Sequence, residues 1–284
     1  MLKFNYHNHT RYCDGSATME AMIQSAIHKG MTHFGISSHG PIPFKTDWTM
    51  PIERLQDYFE EARRLKTKYL DQIHVFIGLE IDYIPGYELD DKLKRALPSL
   101  DYIIGSVHFS GKRIGDLMWT VDYTKEELLE GIRVSYEGDS QKAIKAYFQH
   151  VSEMVETIRP KIVGHLDLIK KSNEAMILFD EGDQWYREAV CECLDRIEKA
   201  GSIVEINTGG KSRGYSNEYY PSVWIIHEML KRNIPVTISA DAHATETVDY
   251  DFHKAAQLLE RIGYRQIHYL TNTGWETVDV RRLT

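Results

Sequence analysis

Apolar residues follow two rhythms along this chain. Short continuous runs (FGIS, VFIGL, YIIGSV, KIVG, SIVEI, VTIS) alternate with longer stretches in which apolar residues recur every three or four positions. The runs predict strands buried on both faces, at residues 3–9, 33–37, 73–81, 101–107, 161–164, 202–207 and 235–240. The periodic stretches predict helices at 19–29, 51–69, 141–158, 185–200, 222–232 and 252–262, with a shorter helical run at 125–133. Met19, Met22, Ile23, Ala26 and Ile27 form one stripe that Gly30 terminates, Pro51 suits a first helical turn, and Gly201 stops the helix before it. Residues 266–270 read as an eighth short strand or a tail segment.

Strictly alternating β and α segments predict an α/β fold with a parallel sheet. No linker, low-complexity tract or second composition appears, so residues 1–284 are expected to form a single domain. The rhythm breaks at about 109–140, a long insertion carrying Trp119, Tyr123 and Tyr136, expected to form a pocket wall.

Polar residues choose between an open sheet and a barrel. Most strands end in a metal-binding side chain: His7 and His9, His39, Glu80, His108, His165, then Asp241 and His243, with Asp14 shortly after the first strand. An open sheet gathers ligands only at a switch point, whereas a barrel gathers them around its whole C-terminal rim. The expectation is therefore a TIM-like barrel with its site at the C-terminal ends of the strands.

His7 and His9 stand at i and i+2 and share one face of a strand, and Asp241 and His243 repeat that spacing. A single strand-end His is usually a packed structural residue, and a lone Glu80 would be read as an ion pair; six such strand ends together are hard to explain that way. Six imidazoles and three carboxylates favour zinc, manganese or iron, and nine ligands suit two or three divalent ions. Such centres activate water and clamp phosphoryl oxygens. Asp14, Glu80 and Asp241 carry about −3 and three divalent ions about +6, leaving about +3, or about +1 with two ions. A small phosphorylated substrate fits that local charge. Arg213 and Lys211, after two glycines that free backbone N–H groups, are the phosphate-binding candidates with Ser106; Lys170, Lys171 and Arg133 read as solvated. Glu80, Asp241 and His243 are the catalytic candidates. The other seven histidines lie in helices or at strand entries and read as structural or exposed.

The whole chain is acidic, with 34 basic against 42 acidic residues and a net charge of −8, which weighs against nucleic acid and anionic membranes as partners. Three cysteines, Cys13, Cys191 and Cys193, give no CxxC pair, and the N-terminal segment lacks an apolar leader core; the expectation is a reduced, cytoplasmic protein. Cys13 lies beside Asp14 but reads as loop packing. Oligomeric state is not legible.

Taken in order, HNHT with Asp14, SSH, GLE, GSVH, GH and ADAH resemble the polymerase and histidinol phosphatase (PHP) family, from His7 to His243. SVHF and GHLDLI, with the chain length, are most similar to its histidinol-phosphate phosphatase branch. The resemblance implies a distorted (β/α)7 barrel with up to three metals. His7, His9, Glu80 and Asp241 would hold the first; Glu80, bridging, with His108 and His165 the second; Asp14, His39 and His243 the third. It implies hydrolysis of L-histidinol phosphate to L-histidinol and phosphate, in histidine biosynthesis. Alternatives are a phosphatase or phosphodiesterase acting on another small ester such as a nucleotide, or a non-catalytic metal-dependent scaffold. Amidohydrolase barrels share HxH but need a metal-ligating lysine, which no strand end here carries.

Overall fold

The computed structural model describes residues 2–111, 118–173 and 176–283. Seven strands pair in chain order, each parallel to the next: β1 (Phe4–Asn5), β2 (His33–Ile36), β3 (His74–Asp82), β4 (Tyr102–Ser106), β5 (Ile162–Val163), β6 (Ile203–Asn207) and β7 (Val236–Ser239). The helices are α1 (Met19–His28), α2 (Leu55–Lys68), α3 (Asp91–Ala96), α4 (Lys125–Tyr136), α5 (Ser140–Thr157), α6 (Gln184–Ala200), α7 (Gly209–Ser212), α8 (Val223–Lys231) and α9 (Phe252–Ile262). Beyond β1 and β7 the two sheet edges meet. The His9 amide donates to the Ala242 carbonyl at 2.8 Å and the Ala242 amide to the His7 carbonyl at 3.1 Å, around a parallel Asn8–Ala242 bridge. The sheet thereby closes into a distorted (β/α)7 barrel.

The chain's local chemistry sets the element ends. Thr18, Thr124 and Asp139 accept from backbone amides in the first turns of α1, α4 and α5, and Gly201 ends α6 at φ 68°. Such side-chain caps satisfy amides that a helix leaves unbonded, each worth about 1 kcal/mol. β1 is shorter than the run predicted for it: Asn8 pairs with Ala242 across the closure, while its carbonyl still accepts the Ser37 amide at 3.0 Å. Residues 266–270 do not join the barrel sheet. They lie in β8 (Gln266–Thr271), which forms an antiparallel hairpin with β9 (Gly274–Asp279).

That hairpin seals the N-terminal end. The Tyr6 hydroxyl donates to the Leu270 carbonyl at 3.0 Å and accepts from the Leu270 amide at 2.8 Å, while Trp275 packs edge-on against the Tyr6 ring. Above it Tyr102 crosses the barrel and donates to the Tyr6 carbonyl at 2.5 Å. Gly35 and Gly78 make room for this ring: a Cβ at either would lie 2.2 and 2.4 Å from Tyr102 atoms. Such an approach is closed to any larger residue unless the ring moves.

The opposite end is open. Residues 112–117 of the insertion lie outside the described residues, but its flanks turn back towards the site: Phe109 pairs with Thr120 in an antiparallel bridge, and the Val121 amide donates to the His108 carbonyl at 2.8 Å. Thr120, Asp122 and Tyr123 thus reach the rim that holds the strand ends. Among the described residues, no helix is long and apolar enough to cross a membrane.

Candidate metal centre

A pocket of about 400 Å³ opens at this rim, floored by Asp14, His39, Glu80, His108, His165, Asp241 and His243. Glu80 is the hub. It ends the apolar part of β3 and is fully buried, and its two oxygens face different partners. Oε2 lies 3.1 Å from His7 Nε2, 3.4 Å from His9 Nε2 and 3.0 Å from His39 Nδ1. Oε1 lies 3.0 Å from His165 Nε2 and 3.7 Å from His108 Nε2. Asp241 Oδ1 stands 3.2 Å from His9 Nε2, and Asp14 Oδ2 stands 3.1 Å from His243 Nε2.

Burial alone would neutralise Glu80, yet the imidazoles of His39 and His7 hold its carboxyl well below the usual range. Asp241 is likewise depressed against the cost of burial, by Arg213 and then His7. Burial, aided by the neighbouring His243 and His39, lowers His9 to about 3, so its ring is neutral. A neutral imidazole beside ionised carboxylates is a donor set suited to a cation.

The residues fit a divalent metal on a further observation. His7 Nε2, His9 Nε2, His39 Nδ1 and Glu80 Oε2 are buried and have no hydrogen-bond partner. Buried polar atoms left without partners are rare and costly. Their separations are those of atoms sharing an ion: two ligands at bond lengths of about 2.1 Å and a tetrahedral angle lie about 3.4 Å apart. Among the described residues, three groups have ligand atoms close enough to hold an ion, namely His9–Asp14–His39–His243, His7–His9–Asp241 and His39–Glu80–His108. His9 and His39 each fall in two groups, where the resemblance assigns each to one ion.

Two supporting carboxylates were not among the sequence candidates. Glu205, fully buried on β6, lies 3.0 and 3.1 Å from His7 Nδ1 and accepts the His165 amide at 2.9 Å. Asp82 lies 2.6 Å from His108 Nδ1. With the proton on Nδ1 in both rings, each imidazole turns its Nε2 towards the centre. Burial resists protonation of His108, but Asp82 outweighs it and pushes the ring up to about 10. A signal for both was available: Glu205 interrupts an apolar strand as Glu80 does, and Asp82 follows Glu80 at the i, i+2 spacing of His7 and His9. Replacing Glu205 by Gln is expected to weaken metal binding about 10–100-fold, since partners of this kind fix ring orientation and basicity. A chelator-competition titration measures this, and unchanged affinity would make Glu205 a packing residue only.

The phosphate candidates divide. Arg213 lines the pocket, with Nη2 2.8 Å from Asp241 Oδ2 and Nη1 2.6 Å from His243 Nδ1. Lys211 does not reach it: its ammonium is 2.8 Å from Asp251 and lies over the Tyr219 ring. Ser106 donates to Glu80 Oε1 at 2.6 Å, and so steadies the hub rather than meeting an anion. The two glycines serve packing, since a Cβ on Gly209 would meet Asp241 Cβ at 2.7 Å and one on Gly210 the Tyr220 ring at 2.4 Å. Of the lysines and arginine read as solvated, only Arg133 is, paired with Glu130 on the surface. Lys170 is buried against Asp167 at 3.0 Å, and Lys171 lines the pocket. Trp48, also unforeseen, sets its ring against His39 and His108 at centroid distances of 4.8 and 5.4 Å.

The chain is 28% identical over 268 residues to the histidinol-phosphatase of Bacillus subtilis, spanning 89% of this chain and 97% of that protein. It is 28% identical over 276 residues to a probable histidinol-phosphatase of Schizosaccharomyces pombe, spanning 90% and 86%. The fold is shared with the histidinol phosphate phosphatase of Lactococcus lactis, crystallised with zinc, L-histidinol and phosphate: the TM-score is 0.71 at 21% identity, over 97% of this chain and 100% of that one. The model of the PHP domain matches residues 5–209, which take in strands β2 to β6 and all of the nine side chains but Asp241 and His243, and the chain therefore belongs to the PHP domain family.

Proposed function

We propose that this chain is a metal-dependent phosphomonoesterase that hydrolyses L-histidinol phosphate to L-histidinol and phosphate. One observation carries the reading. Glu80 turns one oxygen to His7, His9 and His39 and the other to His108 and His165, at the floor of a pocket sized for a small ester. Similarity over nearly full length to proteins named histidinol-phosphatase supports it.

His7, His9, Asp14, His39, Glu80, His108, His165, Asp241 and His243 would hold two or three divalent ions, zinc, manganese or iron. Such ions, when bound, supply an activated water and positive charge for the phosphoryl oxygens. The chain's own groups do the rest. His7 and His108 hold their rings in one tautomer through Glu205 and Asp82. Arg213 stands at the pocket wall, bonded to Asp241 and His243, and Asp241 keeps the guanidinium charged in spite of burial. Trp48 covers the histidines from solvent on one side.

Steady-state kinetics test the substrate. L-Histidinol phosphate is expected to exceed AMP and p-nitrophenyl phosphate in kcat/KM by about 100-fold or more, because a site built for polar groups rejects esters that lack them. Equal or better turnover of nucleotides would replace this reading with the nucleotide phosphatase.

A further inference from the structure

One pocket carboxylate has no part in the metal groups. Asp122 lines the cavity beside Tyr123 and Thr120, and its charge reaches His108 and Arg213. A carboxylate there repels a bare phosphate ester wherever no cation covers it. Its charge needs a cation beside it, which a substrate with a positive charge of its own would supply.

The structure shows what that place accepts. The Lys171 ammonium sits in it, 3.4 Å from Asp122 Oδ2, donating to the Asp122 carbonyl at 2.6 Å, and 4.2 Å above the centre of the Tyr215 ring. A carboxylate, a carbonyl oxygen and an aromatic face around one ammonium make a cation box. Tyr215 is about half exposed, so the box opens to the mouth. We infer that Asp122 and Tyr215 form the subsite for the substrate's ammonium group, which Lys171 fills in the free protein. This inference rests on the proposed function: in L-histidinol phosphate an ammonium stands on the carbon next to the phosphorylated CH2. The displaced lysine then faces a pocket that holds a phosphate dianion, so both charges of the substrate are met and the rim carboxylate discriminates against esters without an amine.

The experiment compares the wild type with Asp122→Asn on two substrates, L-histidinol phosphate and p-nitrophenyl phosphate, each metal-loaded, with metal content and melting temperature recorded for both proteins. Asp122→Asn is expected to lower the ratio of the two kcat/KM values by about 10–100-fold, as loss of a charged hydrogen bond does. The change should lie mainly in KM for L-histidinol phosphate. An unchanged ratio overturns the subsite, whether both rates hold or both fall together. A wild type with no preference for L-histidinol phosphate overturns the proposed substrate instead, and the subsite with it, so the wild-type ratio separates the two failures.

Discussion

Glu80→Gln is expected to lower kcat/KM for L-histidinol phosphate by about 10³-fold or more, the loss that follows when a group placed against transition-state charge is removed and the centre it organises is emptied. The side chain keeps its size and stays on a rigid strand, so a collapse of the barrel is not the cause. What changes is chemistry at both ends of the carboxylate. Five imidazole nitrogens stand within 3.0 to 3.7 Å of its oxygens. An amide offers them one oxygen and an NH2 that cannot bind a cation. His39 and His7 hold the native group ionised throughout the working range, so no pH restores the variant. Elemental analysis should show fewer bound ions per chain, with circular dichroism unchanged. A variant within tenfold of the wild type would remove Glu80 from the centre.

Exhaustive dialysis against a chelator is expected to abolish phosphate release, and manganese, zinc or iron to restore it. A second readout is stability. A ligand that binds only the folded chain stabilises it by about 4 kcal/mol at 1,000 times its Kd, so the stripped protein should melt earlier. Reloading should depend on pH with a definite sign. Burial disfavours a proton on His7, but Glu205, Glu80 and Asp241 outweigh it and raise the ring well above its ordinary value. An ion needs the unprotonated Nε2, so binding expels a proton, and affinity should climb as pH rises through the ordinary histidine range towards the raised value of the His7 ring. Glu80 and Asp241 are already ionised across that window and add no opposing slope. Full activity in metal-free protein would refute the mechanism.

Much of this was legible in the residues because burial leaves a plain mark. Runs such as YIIGSV have no polar face to spare, and a His or Glu closing one of them has to be explained by a partner. Helix ends were readable where a cap or glycine marks them, as at Gly201 and Phe252–Ile262. What escaped depends on contacts between distant segments. Nothing local in KSRGY tells that Lys211 turns to Asp251 while Arg213 turns to Asp241, 28 residues further on. Lys170 and Lys171 are neighbours with the same chemistry, yet one is buried against Asp167 and the other reaches the mouth. The closing hairpin was missed because an isolated two-stranded ribbon carries a weak pattern, and β8–β9 is held by distant contacts, among them the bonds of Leu270 to Tyr6.

The tyrosine floor has a consequence for traffic. Tyr102 spans the interior and the β8–β9 ribbon is stitched to Tyr6 beneath it, so the barrel is a cul-de-sac and not a tunnel. Among the described residues, the reactant and both fragments of it share the mouth of the pocket that Trp48 and Tyr215 help to line. Whatever rests deepest therefore departs behind whatever rests nearer the threshold.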